Sequence, residues 1–126
     1  MLNILLVAAG GAFGASFRHL FSGAALRLLG AGWPYGTFAI NVIGSLLMGV
    51  LAGWLAFRGD GGQQWRLLLG TGVLGGFTTF SAFSLEAALM IERREYLPAA
   101  AYVVGSAAVA IAALFAGLWL ARRVFA

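Results

Sequence analysis

Four stretches of this chain carry no charged side chain: residues 1–17, 28–57, 67–85 and 96–121. No other feature narrows the possible folds as far. A helix of about 20 apolar residues crosses the hydrocarbon core of a bilayer, and four such runs have no place in a small soluble domain. Composition agrees. Of the 126 residues, 62% are hydrophobic and 10% charged, against about 25% charged in an ordinary soluble domain. The pattern predicts an all-α membrane protein, a single domain over residues 1–126, with four transmembrane helices at roughly 3–24, 33–57, 64–92 and 96–121. The opening MLNILLVAAGGAFG lacks the positive segment of a signal peptide and reads as a retained first helix. GAGWPYG (30–36) is a turn that feeds the second helix. RGDGGQ (58–63) is a glycine turn with a charge pair, and ERREY (92–96) a charged corner. Pro98 suits the first turn of the fourth helix.

Several function classes drop out. There are no cysteines, so disulfides and thiolate metal sites are absent, and the single His19 cannot form a histidine cluster. The net charge of +4 does not point to nucleic acid. All eight basic residues are arginines at the edges of apolar runs, with no basic stripe between polar surfaces. The chain reads as a transport protein of the membrane and not as an enzyme.

The more arginine-rich side of a membrane protein normally stays in the cytoplasm. Here one face carries Arg58, Arg66, Arg122 and Arg123, and the other Arg18, Arg27, Arg93 and Arg94. Four against four fixes neither orientation. The functional reading is dual topology, with copies inserted both ways and paired as an antiparallel homodimer. Four helices enclose little, and the chain has no internal repeat, so the second half of an inverted pair must be another copy.

Small residues recur four apart: Gly10 and Gly14; Ser45, Gly49 and Gly53; Gly72 and Gly76. Such ridges bring membrane helices close together. The fragment GAFGAS (11–16) follows no strand and is no nucleotide loop.

Polar groups inside a membrane are costly and mark function. The third span supplies the strongest signal, in GGFTTFSAFS (75–84). Gly75-Gly76 lowers helix propensity by about 1 kcal/mol per glycine relative to alanine, and with Thr78-Thr79 after it predicts a broken third helix. Freed carbonyls there suit a cation, and the new helix N-terminus suits an anion. Phe77, Phe80 and Phe83 then alternate with Thr79, Ser81 and Ser84. Such phenylalanines serve either as core packing or, through their positive ring edges, as anion contacts. In the second span Asn41 either bonds across a helix interface or offers its amide to an anion. In the fourth, Tyr102 and Ser106 share a face that turns apolar at Ala110 and Leu114. Arg18 is either an interfacial, snorkelling arginine or a positive charge at a mouth. Glu86 has a structural or vestibular role. Donors without carboxylates favour a small anion, and weak donors let it leave. The donor set alone does not choose fluoride over chloride.

GGAFGASFRH (10–19), GTFAINVIGSLLMG (36–49) and GVLGGFTTFSAFSLE (72–86), in this order, resemble the Fluc/CrcB family of fluoride channels over essentially the whole chain. The resemblance implies passive fluoride export through antiparallel dual-topology homodimers with two pores, in the bacterial cytoplasmic (inner) membrane. It implies a structural Na⁺ at the dimer centre, held by the backbone carbonyls of Gly75 and Thr78. Phe80 and Phe83 would be the ring-edge pair and Asn41 the amide donor beside them. Thr79, Ser81 and Ser84 match the hydroxyl segment, Tyr102 and Ser106 the polar track of the fourth helix, and Arg18 the arginine near the vestibule. Ala110 departs from the pattern, since relatives often carry a hydroxyl there. A proton-coupled multidrug exporter would need a carboxylate in the first span, which has none. A non-transporting assembly subunit would leave the donor-rich third span unexplained.

Overall fold

The computed structural model describes residues 1–58 and 62–125, and among these every regular element is helical. Of RGDGGQ, residues 59–61 lie outside the described residues, and with them Asp60 of the expected charge pair. Helix α1 runs Leu2–Leu29, α2 Tyr35–Leu55 and, at the end of the chain, α5 Tyr96–Phe125. The third span, Gln63–Glu92, has two segments. The first, α3 (63–77), contains an α-helical start Gln63–Trp65, a π-helical stretch Arg66–Leu74 and a closing turn Gly75–Phe77. The second, α4, is Phe80–Glu92. The four spans are long and apolar enough to cross a membrane, and the chain is a multi-pass membrane protein.

Glycine decides how these helices pair. α1 lies against α3. A Cβ added at Gly10 would overlap the Leu68 carbonyl, one at Gly14 the Val73 carbonyl, and one at Gly76 would sit 2.7 Å from the Gly11 carbonyl. α2 lies against α5 in the same way, where Gly49 faces the Leu114 carbonyl, Gly117 the Leu46 carbonyl and Gly53 the Ala121 side chain. The backbones touch, so the pairing rests on close van der Waals contact rather than on large side chains. Forcing a methyl group into such a contact costs typically 1–3 kcal/mol.

The same packing corrects one detail of the sequence reading. Gly75-Gly76 with Thr78-Thr79 after it was expected to break the third helix, and Gly75 and Gly76 are themselves helical. The extended residues follow two positions later: Thr78 at φ −79°, ψ 158° and Thr79 at φ −151°, ψ 124°. The reason is that Gly76 gives passage to α1, while the threonines supply what an extended backbone needs. β-Branched side chains favour extended conformations, and both hydroxyls hold neighbouring backbone. Thr78 Oγ1 donates to the Leu74 carbonyl at 2.9 Å, and Thr79 Oγ1 accepts from the Ala82 N–H at 3.1 Å, capping α4.

Two small cores stand along α2. One gathers Ala87, Met90, Ala99 and Tyr102 under Trp33, Phe38 and Phe83. The other gathers Leu51, Leu55 and Leu74 with Met48, Trp54 and Leu69. Between them the helices stand apart around Asn41, Gly44, Ser45 and Met48. α1 ends on Gly30, whose positive φ of 81° glycine takes readily and whose N–H bonds to the Leu26 carbonyl.

Candidate functional site

The gap between the cores is an open-sided cavity of about 340 Å³. α2 supplies Asn41 and Ser45, one turn apart on the same face. The interruption supplies Thr78 and Thr79, α4 supplies Phe80 and Phe83, and α5 supplies Ser106 and Ala110. Among the described residues, no charged side chain lines it. The Phe80 and Phe83 rings lie 5.5 Å apart, tilted by 44°. Phe80 is 79% exposed, so half of the aromatic pair has no cover from its own chain. Phe83 also meets the Tyr102 ring at 5.0 Å, and Trp33 meets Tyr102 edge-on at 5.2 Å.

The polar atoms of the cavity fall into two groups. Some are committed. Asn41 Nδ2 donates to the Thr79 carbonyl at 3.1 Å, and Asn41 Oδ1 accepts from the Thr79 N–H at 2.9 Å. Thr79 Oγ1 also lies 3.4 Å from Ser81 Oγ. Others are not. Ser106 Oγ and Tyr102 Oη are buried with no hydrogen-bond partner among the described residues. An unpartnered buried hydroxyl costs about 1–3 kcal/mol, and Ser106 is one of the residues lining the cavity.

These bonds also release carbonyls. In a continuous helix the Gly75 carbonyl would accept from the Thr79 N–H, and the Thr78 carbonyl from the Ala82 N–H. Here the Thr79 N–H goes to Asn41 and the Ala82 N–H goes to the Thr79 hydroxyl. Gly75 is exposed and Thr78 half-buried. Two oxygen acceptors, three residues apart in the chain, are thus left without their helical donors, and hard cations prefer such oxygens.

The remaining residues lie elsewhere. Ser81 and Ser84 are exposed on α4, and Arg18 is half-buried on α1, outside the cavity. Glu86 faces a second cavity of about 260 Å³ at the end of the spans near the 30–34 turn, lined also by Ser22, Thr37 and Arg93. The buried Thr37 hydroxyl donates to Glu86 Oε1 at 2.6 Å. Sequence reasoning passed over Thr37 and read Ser45 only as a small packing residue. The signal was available, because both stand four residues from Asn41 and therefore on its face of α2.

The family described as "CrcB-like protein, Camphor Resistance (CrcB)" matches residues 5–118. A protein of Phenylobacterium zucineum (strain HLK1) named "Fluoride-specific ion channel FluC" is 68% identical over 100% of both chains. Proteins of the same name from Caulobacter sp. (strain K31) and Caulobacter vibrioides (strain NA1000 / CB15N) are each 60% identical. The first alignment covers 99% of this chain and 98% of the relative, the second 100% of both.

Proposed function

Because this chain belongs to the CrcB family, we propose that it is a fluoride-selective ion channel, not an enzyme, that lets fluoride leave the cell passively down its electrochemical gradient and so protects the cell from fluoride. The observation that carries this reading is the cavity between the cores. It combines an amide, hydroxyls and aromatic ring edges with no ionised side chain. Fluoride is a small, strong hydrogen-bond acceptor, and donors replace part of its hydration shell. The absence of a fixed cation in the wall keeps binding shallow enough for release.

The working unit is an antiparallel homodimer in the bacterial inner membrane, with copies of opposite topology and two pores. Support comes from what a single chain leaves uncovered. Thr71, Gly75, Ser81 and Ser84 are exposed along the third span, and Phe80 flanks the open side of the cavity. Lipid tails offer no partners to hydroxyls or free backbone. A second copy would cover this face and bring its own rings to the cavity. A structural Na⁺ fits the same place. The carbonyls of Gly75 and Thr78, deprived of their helical donors, would hold it, and it would supply the positive charge that joins two interrupted helices.

The test is ion release from liposomes. Purified protein should empty fluoride-loaded liposomes down the gradient, with no proton gradient and with chloride retained. Equal release of chloride, or no fluoride release, would overturn the reading. Replacing Na⁺ by a larger cation during purification should weaken the dimer, and an unchanged dimer would count against the cation site.

A further inference from the structure

Asn41 does not reach the interruption through a single bond. It pairs with both polar atoms of one residue, giving Nδ2–H to the Thr79 carbonyl and receiving the Thr79 N–H on Oδ1. The two backbone groups differ in kind. A backbone N–H can only donate and a backbone carbonyl can only accept. Turning the side-chain amide over would set N–H against N–H and oxygen against oxygen, and both bonds would be lost together. Network consistency of this sort is what assigns an amide its orientation.

We propose that the backbone of Thr79 locks the Asn41 amide in one orientation, so that the cavity meets an N–H donor of Asn41 and never its carbonyl oxygen. The amide has two N–H bonds, and Thr79 uses one. The second remains for an occupant of the cavity that Asn41 lines. The carbonyl oxygen, which would attract a cation or repel an anion, is turned to the Thr79 N–H. Thr79 is therefore a positioning residue that acts through its main chain. Its extended conformation is necessary, because a helical Thr79 would give its N–H to the Gly75 carbonyl instead. Thr79 holds that conformation in part through its own hydroxyl, which caps α4 at Ala82. One residue thereby couples the shape of the interruption to the sign of the charge the cavity accepts.

The inference rests on the fluoride-channel reading, and the experiment separates the two. The chain has two asparagines, Asn3 and Asn41. Asparagine-selective ¹⁵N labelling of the Asn3→Ser variant leaves one labelled side-chain amide. In the full-length protein, one Asn41 Nδ2 proton should resist exchange with solvent and keep its chemical shift when sodium fluoride is added. The other should exchange and move downfield with fluoride. Equal exchange of both protons or, in protein that passes fluoride, fluoride moving both or neither would overturn the lock. A wild-type protein without fluoride flux would overturn the channel reading instead, and the exchange pattern would still report the lock. As a second arm, Asn41→Asp keeps the acceptor for the Thr79 N–H but sets an oxygen against the Thr79 carbonyl. Fluoride flux should fall at least about tenfold in protein that still elutes as wild type. Unchanged flux would contradict the proposal.

Discussion

Thr37 and Asn41 stand one turn apart on α2, yet they open onto different surroundings. Thr37 faces a cavity that holds Glu86 and Arg93. Asn41 faces one without a charged side chain. In the first, a hydroxyl is spent on a carboxylate. In the second, Ser106 keeps an unpartnered hydroxyl. A charged mouth gathers ions from water and is screened by salt. An uncharged, donor-lined gap selects an ion by direct contact. If the chain conducts as proposed, the pair of cavities would divide attraction from selection, and the division can be attacked from both sides.

The largest effect should follow from making the second cavity resemble the first. Ser106→Asp sets an unpaired carboxylate in the wall. Leaving a buried charge without a partner costs about 3–5 kcal/mol, so fluoride efflux from liposomes should fall by a hundredfold or more, with ~1.4 kcal/mol for each factor of ten. Efflux within a few-fold of wild type would show that the cavity is not the path. Next comes Phe83→Ile, which keeps bulk and removes the ring edge. Aromatic contacts are worth about 0.5–1.5 kcal/mol, and flux should fall roughly tenfold while the dimer assembles normally in gel filtration. The smallest effect belongs to the mouth. Glu86→Gln should change flux by only about twofold at low ionic strength, and the difference should vanish at high salt. A loss as deep as that of Ser106→Asp, insensitive to salt, would move Glu86 into the selective part of the path.

Much of this division is legible in the sequence, for local reasons. Charges punctuate the four spans, so their existence follows from where arginines and glutamates stop. Gly10, Gly14, Gly49 and Gly53 announce close helix contacts by their spacing, and the fold uses them as such. Residue types also mark Asn41, Phe80, Phe83 and Ser106, which the fold brings to one cavity. What escaped the sequence depends on partners far along the chain. Gly75-Gly76 looks like an interruption because glycine lowers helix propensity anywhere. Only the presence of α1 shows that Gly76 is there to let a backbone pass. The bond from Asn41 to Thr79 spans 38 residues and has no local signature. Nor has the π-helical stretch Arg66–Leu74, where the Gly75 N–H reaches back to the Gly70 carbonyl. Such wide turns frequently accompany functional sites in helices. Here one leads directly into the turn before Thr78.

The central claim is that an uncharged set of donors passes fluoride and holds back chloride. Reversal potential in a planar bilayer tests it most directly. With symmetrical chloride and a tenfold fluoride gradient, the current should reverse about 59 mV from zero, the value for a single monovalent ion. It should stay at zero when the gradient is chloride alone and fluoride is symmetrical. A reversal potential that follows chloride, or that stays at zero in the fluoride gradient, would contradict the account.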